Sequence, residues 1–274
     1  MKKNLFLLAL IIICFSVVEV SIAQDNEVNE EISQLQIACE NGDAYQCALL
    51  GMKYSEGKGV PQNDRRAVFY LLKACEGGEA NACVVFASMF ALGRGVRQDD
   101  GKAASLYEKG CNLGAAGGCA ALAQMYLSGI GVEKNEAKAL KFSKIACEGG
   151  NPEGCTLLGE MYAEGIGINV DYVAAARYLK KGCEGGNRRG CLLLGGLYFT
   201  GGQGVSKDNT LAARYLMKAC EAGDGQGCTF AGSLYFKGLG VPRDKEMALK
   251  LFKKGCNNGY QEGCDLYRKI ITKK

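Results

Sequence analysis

The sequence predicts an all-α chain, an αα-superhelix (solenoid) of about fourteen helices, and three observations predict it. A nine-residue frame opened and closed by cysteine, as in Cys75-Glu76-Gly77-Gly78-Glu79-Ala80-Asn81-Ala82-Cys83, recurs seven times along the chain. Successive frames begin 36 residues apart, except for one interval of 37 between Cys183 and Cys220. Self-similarity at such a period marks an array of supersecondary units. Between frames the apolar residues fall at helical spacing, and glycine pairs followed by Asn or Asp cut each unit into two helices.

The chain opens with Met1-Lys2-Lys3-Asn4, an apolar run from Leu5 to Val18, and Ser21-Ile22-Ala23. These are the three parts of a secretory signal peptide, with cleavage expected after Ala23. The run is short for a membrane span and Glu19 follows it, so no span is expected in the mature chain. Glu27 to Ala38 is expected to form a lone covering helix with Ile32, Leu35 and Ile37 as its apolar positions.

Counting from the second cysteine of each frame, a small residue stands four on: Gly51, Ala87, Ala123, Gly159, Gly195, Gly232. An aromatic stands seven on: Tyr54, Phe90, Tyr126, Tyr162, Tyr198, Tyr235. Positions 0, 3, 4 and 7 share one face of a helix, so the first helix of each unit buries that face. It runs into glycine pairs such as Gly57-Lys58-Gly59 and Gly93-Arg94-Gly95, where positive φ ends a helix. The fifth unit reads Gly201-Gly202-Gln203-Gly204 and holds the extra residue. These pairs leave helices, not strands, which argues against a nucleotide site.

Asn63, Asp99, Asn135, Asp171, Asp208 and Asp244 are good N-caps for the second helix. Ala67, Ala103, Ala139, Ala175, Ala212 and Ala248 follow four later, then Tyr70, Leu106, Phe142, Tyr178, Tyr215 and Leu251. Lys73, Lys109, Lys144, Lys181, Lys218 and Lys254 are placed in its last turn, where positive charge suits the helix dipole. Gly42, Gly78, Gly114, Gly150, Gly186, Gly223 and Gly259 turn the chain onto the next first helix. The last helix, from about Gln261, has Arg268 at the small-residue position and Ile271 at the aromatic one.

Removal of the leader takes Cys14 with it and leaves fourteen cysteines, an even number in a chain bound for an oxidising compartment. Pairing within each frame joins Cys39 to Cys47, Cys75 to Cys83, Cys111 to Cys119, Cys147 to Cys155, Cys183 to Cys191, Cys220 to Cys228 and Cys256 to Cys264. The rival pairing across a repeat would strand Cys39 and Cys264. Each second-to-first hairpin is thus expected to be closed by a disulfide.

Histidine is absent, which removes the commonest general base and zinc ligand. No metal and no cofactor is expected. The formal net charge is +4 with no block of like charge, so nucleic acid is not an expected partner.

Cys47-Ala48-Leu49-Leu50-Gly51-Met52-Lys53-Tyr54 and Cys155-Thr156-Leu157-Leu158-Gly159-Glu160-Met161-Tyr162 resemble the Sel1-like repeat, a relative of the tetratricopeptide repeat. With a leader and a cysteine pair in each unit, the mature chain resembles the Helicobacter cysteine-rich proteins. The resemblance implies a secreted or periplasmic solenoid of a kind usually assigned to protein interactions. It also implies possible ligands among peptidoglycan fragments or β-lactams, since some members are described as binding or slowly hydrolysing β-lactams. The expected partition is a signal peptide over 1–23, a capping helix over 24–42, six repeats over 43–256 and a final capping helix over 257–274.

Within such an array the first helices are expected to line the concave side and offer a groove to a protein or peptide. Five residues after the second cysteine the residue type changes from unit to unit: Met52, Ser88, Gln124, Glu160, Gly196, Ser233. Nine after, it changes again: Glu56, Leu92, Ser128, Glu164, Thr200, Lys237. These are the candidate binding positions. Ser55-Glu56-Gly57-Lys58 matches a serine-enzyme Ser-x-x-Lys in letters but falls at the end of a helix, and Lys-Thr-Gly is absent. No catalytic residue is assigned.

Overall fold

The computed structural model describes residues 30–272. The expected signal peptide and residues 24–29 of the first cap lie outside the described residues, as do Lys273 and Lys274. The described residues hold fourteen helices: α1, described over 30–40, then α2 (Ala44–Glu56), α3 (Asp64–Glu76), α4 (Ala80–Leu92), α5 (Asp100–Asn112), α6 (Ala116–Ser128) and α7 (Glu136–Glu148). They continue with α8 (Pro152–Glu164), α9 (Tyr172–Glu184), α10 (Arg188–Thr200), α11 (Asn209–Glu221), α12 (Gly225–Lys237), α13 (Lys245–Asn257) and α14 (Gln261–Ile271). The described residues form two compact units that divide between Leu113 and Gly114.

Within each unit the plan is the same. A first helix packs most extensively on the second helix of its own repeat, as in α2 on α3 or α8 on α9, and each second helix then packs on the next first helix. The N-cap side chains form the bonds their chemistry calls for: Asn63 Oδ1 accepts from the Arg66 amide at 3.0 Å and Asp99 Oδ1 from the Lys102 amide at 2.9 Å. Asn135, Asp171, Asp208 and Asp244 cap α7, α9, α11 and α13 in the same way. The amide of each cap also donates to the carbonyl of the aromatic that closes the preceding helix, Asn63 to Tyr54 at 2.8 Å and Asp171 to Tyr162 at 2.9 Å.

That bond sets the register of the pair and brings rings together. Tyr54 and Tyr70 stack with centroids 5.7 Å apart, Tyr126 and Phe142 at 5.8 Å, Tyr162 and Tyr178 at 5.5 Å, and Tyr198 and Tyr215 at 5.8 Å. Such pairs contribute about 0.5–1.5 kcal/mol beyond their burial. The small residue at the fourth position has an equally local reason. A Cβ on Gly51, Gly159 or Gly195 would meet the side chain of Leu71, Leu179 or Leu216, each a fully buried residue of the facing second helix.

The cysteine frames close the turns from second to first helix. Six pairs are seen with Cα–Cα distances between 4.3 and 4.7 Å: Cys39–Cys47, Cys75–Cys83, Cys147–Cys155, Cys183–Cys191, Cys220–Cys228 and Cys256–Cys264. Cys111 and Cys119 are disulfide-bonded as well. The turn glycines have positive φ, +95° at Gly78 for example. The inserted residue of the fifth repeat is absorbed in a small β-bridge: Gly202 and Val205 exchange two 2.9 Å backbone bonds, and the loop lies against Tyr172 and Val173.

Two expectations are corrected. Ile37 is 59% exposed, because the buried stripe of α1 runs Ile32, Leu35, Cys39 and the 3.6-residue period carries Ile37 to the opposite side. Lys144 lies outside the last turn of α7; the place held elsewhere by Lys73 or Lys181 is taken by Ile145. The sixth position after the cysteine, unremarked in the sequence, is also core: Met89, Met125, Met161 and Leu234 are buried. Arg268 and Ile271 are exposed on α14, after which no second helix follows within the described residues.

One packing site couples three helices. Thr156 of α8 is buried, its hydroxyl donating to the Pro152 carbonyl at 2.9 Å, and a Cβ on either Gly182 of α9 or Gly190 of α10 would collide with it. Val84 stands likewise against Gly110, and Thr229 against Gly255 and Gly263. Ala48 and Ala120 accompany the larger Ala74 and Ala146 at the equivalent places; Leu192 with Ala219 departs from this pattern. Gly182→Ala is therefore expected to lower stability by about 1–2 kcal/mol, overpacking outweighing the gain in helix propensity. In urea unfolding, adding Thr156→Ala recreates the Ala–Ala pair and should restore part of that loss. Additive losses would contradict this account.

Candidate functional site

The first helix of each repeat carries two stripes. Positions 0, 3, 4 and 7 face the core, so positions 5 and 9, together with 2 and the residue two before the second cysteine, lie on the opposite side at 100° per residue. In the second unit the first helices contact one another, α6 with α8, α8 with α10 and α12 with α14, more extensively than the second helices do. That unit therefore bends towards its first helices, and their outer stripe lines its inner face.

Most of the candidate residues lie on this stripe as exposed or partly exposed side chains. Met52 is half-buried and packs against the core of the first unit. The Ser88 hydroxyl donates to the Val85 carbonyl at 2.7 Å, and Ser233 donates to Thr229 at 3.1 Å. Glu56 is exposed and pairs with Lys58. Gln124, Glu164 and Lys237 are exposed. Gly196 is open: a Cβ there would meet nothing within 4 Å.

Glu160 is different in kind. Its side chain is only 12% exposed, and Arg189 reaches back from the start of α10 to hold it by two bonds, Nε to Oε1 at 2.6 Å and Nη2 to Oε2 at 2.9 Å. Burial pushes the Glu160 carboxyl above its usual range. The nearby Glu164 carboxylate pushes the same way, and the Arg189 guanidinium opposes both in part. The middle of the inner face thus presents a desolvated carboxylate, an exposed guanidinium spanning two repeats, and a gap at Gly196. Arg189 was not singled out in the sequence. Its signal is the frame Cys183 to Cys191, which alone of the seven carries arginines, Arg188 and Arg189.

Ser55 lies in the last turn of α2, where its carbonyl and hydroxyl both accept from Arg94 Nη2 at 3.0 and 3.4 Å, while Lys58 pairs with Glu56. The Ser-x-x-Lys letters thus form a helix terminus clamped to the neighbouring repeat, with Arg94 also held by Asp64 at 2.6 Å. Among the described residues no group of acidic or cysteine side chains is arranged to hold a metal ion, and no helix is long and apolar enough to cross a membrane.

The family described as Sel1 repeat matches residues 47–79, 81–114, 116–151, 152–187, 189–224 and 225–260. A protective antigen of uropathogenic Escherichia coli displaying an SLR fold is similar at 29% identity and a TM-score of 0.80, over 87% of this chain and 51% of that chain. A Sel1 repeat protein from Oxalobacter formigenes is similar at 28% identity and a TM-score of 0.76, over 86% and 68%. Helicobacter pylori cysteine rich protein B shares 30% identity over 48% of this chain and 94% of its own, with a TM-score of 0.40. The chain spans about half the length of the Escherichia coli antigen. None of the curated proteins matches it by sequence.

A carboxyl raised by burial contributes stability that is complete below the unfolded carboxylate range and is lost as pH rises through the raised value. Glu160→Gln removes that loss while keeping an acceptor for Arg189. At neutral pH its Tm should exceed that of the wild type by roughly 1–3 °C, and the difference should vanish below about pH 4. A variant that melts lower at neutral pH would show that the pair with Arg189 outweighs the desolvation.

Proposed function

The chain belongs to the Sel1 repeat family, and on that premise we propose that it is a secreted or periplasmic, disulfide-stapled scaffold that binds a protein or peptide partner on the face presented by its first helices. The observation that carries this reading is the contrast between the two stripes of those helices. The core stripe repeats in residue type and is buried, save for aromatics such as Phe90 and Tyr162 that are partly exposed. The opposite stripe changes chemistry at nearly every repeat and retains a carboxylate that burial disfavours, Glu160, beside an open notch at Gly196. A stripe needed only for packing has no reason to keep a desolvated charge, whereas recognition sites commonly accept such a cost.

Sel1 repeats generally mediate protein interactions, which supports the same reading. The cysteines support the compartment. Oxidised pairs in every frame, buried in the first six, are compatible with an oxidising environment, and the expected leader would deliver the chain to one.

The test is retention of a partner from the envelope of the source cell by immobilised protein, wild type against Gln124→Ala/Glu160→Ala. Both residues lie off the core stripe, so the variant should melt within a few degrees of the wild type. Recovery should fall by about tenfold or more, the effect of losing roughly 1.4 kcal/mol at a central contact. Equal recovery would remove the inner face from consideration.

A further inference from the structure

The inner face of the second unit ends in a groove of about 740 Å³ formed by α12, α13 and α14. Its floor is apolar: Phe236, Leu249, Phe252, Leu266 and Ile270. Three lysines rim it, Lys237 from α12, Lys245 from α13 and Lys269 from α14, and none of them is in an ion pair among the described residues.

Each of these lysines breaks the pattern of its own repeat position. At the ninth place after the second cysteine the other five repeats have Glu56, Leu92, Ser128, Glu164 and Thr200. At the first residue of the second helix they have Asp64, Asp100, Glu136, Tyr172 and Asn209. At the fifth place the residues preceding Lys269 are Met52, Ser88, Gln124, Glu160, Gly196 and Ser233. Among the described residues each column holds a single cation, the sequence placing one more at Lys273 nine after Cys264, and the three described lysines converge on one groove. Lys245 moreover sits at a helix N-terminus, where positive charge opposes the dipole and an acid is the stabilising choice.

The groove is also uncrossed. Where Arg189 of α10 spans to Glu160 of α8, the equivalent residues of α14 and α12 are Glu262 and Ser233. These turn to their own surroundings, Glu262 accepting from Tyr260 at 2.9 Å and Ser233 donating to Thr229.

We propose that this groove, resting on the reading of the inner face as a partner-binding surface, receives a peptide segment of the partner whose apolar side chains are flanked by carboxylates. The apolar floor takes the hydrophobic side chains, and the three ammonium groups take the acids. Two carboxylates, Glu246 and Glu262, line the groove together with the lysines. A rim of mixed sign suits a peptide, whose backbone offers both donors and acceptors, better than an anionic membrane surface of one sign.

The experiment uses the full disulfide-bonded chain and two fluorescein-labelled peptides, Glu-Leu-Leu-Asp-Phe-Leu-Glu and its charge-swapped form Lys-Leu-Leu-Lys-Phe-Leu-Lys, read by fluorescence anisotropy. The acidic peptide should bind the wild type and the swapped one should not. Lys237→Glu/Lys245→Glu/Lys269→Glu should weaken the acidic peptide by at least roughly tenfold and gain the swapped one, with the corresponding glutamine variant intermediate. All three sites are exposed, and an unchanged Tm checks that the variants fold. Equal binding of both peptides, failure of the wild type to bind the acidic one, or binding that ignores the triple variant would overturn the proposal. So would lysine-dependent binding of vesicles rich in phosphatidylglycerol without peptide binding. Loss of the native partner in Gln124→Ala/Glu160→Ala but not in the lysine variant would leave the inner face standing and remove only this groove.

Discussion

Both units depend on the three-residue return from a second helix onto the next first helix. Between Glu76 and Ala80, or between Glu148 and Pro152, the chain has to reverse in three residues. One of these is a glycine held at positive φ, and a disulfide spans the reversal. The clasp fixes more than the distance. Because each first helix begins with its cysteine already pinned to the end of the preceding helix, the phase of that helix is set, and with it the choice of which stripe meets the core. A bridge closing so short a loop contributes on the order of 2–3 kcal/mol by limiting the unfolded chain. Repeated through the array, that contribution supports units whose cores are local and, taken singly, too small to stand alone.

Once phase is fixed, the rest of the packing becomes a matter of size. Leu71, Leu179 and Leu216 can lie fully buried against a first helix only because glycine occupies the fourth place. The stacked rings at the other end of the helix pair hold the spacing that those leucines exploit. Thr156 against Gly182 and Ala120 beside Ala146 show that volume is shared across helices: a larger residue on one is matched by a smaller one on the next. This is close packing expressed in a repeat, where the same joint is solved more than once with different residues.

The sequence made the joints legible because each rests on a residue with one dominant chemical habit. Asn63 and Asp171 cap, Gly57 and Gly78 turn left-handed, Cys75 finds Cys83 eight residues away, and all are local relations. What escaped notice depends on three-dimensional neighbours. Ile37 reads as core until the phase of α1 is known, and Met161 reads as incidental until it is seen fully buried beside Ser143 of α7. Glu160 could be named from its column, but its bond to Arg189 joins residues 29 apart, and burial of the carboxyl follows from the closeness of α8 to α10. Lys245 was hidden for the opposite reason: as a lysine on a helix surface it looks ordinary, and only alignment of the repeats shows that its column otherwise avoids positive charge.

In an array whose repeats serve as one another's controls, the informative residue is the one that departs from its column and gains nothing structural by doing so. Arg94 departs from its column and gains Asp64 and Ser55, so packing between repeats accounts for it. Lys245 gains no ion pair, opposes a helix dipole and stands over an apolar groove; Glu160 is intermediate, gaining two bonds from Arg189 while keeping a charge that burial disfavours. A scaffold clasped at every turn can carry such costs locally, since the clasps hold the backbone whether or not one exposed stripe is optimal. The same rigidity serves binding: side chains mounted on helices whose phase is covalently set lose little freedom when a partner docks, so more of each contact appears as affinity.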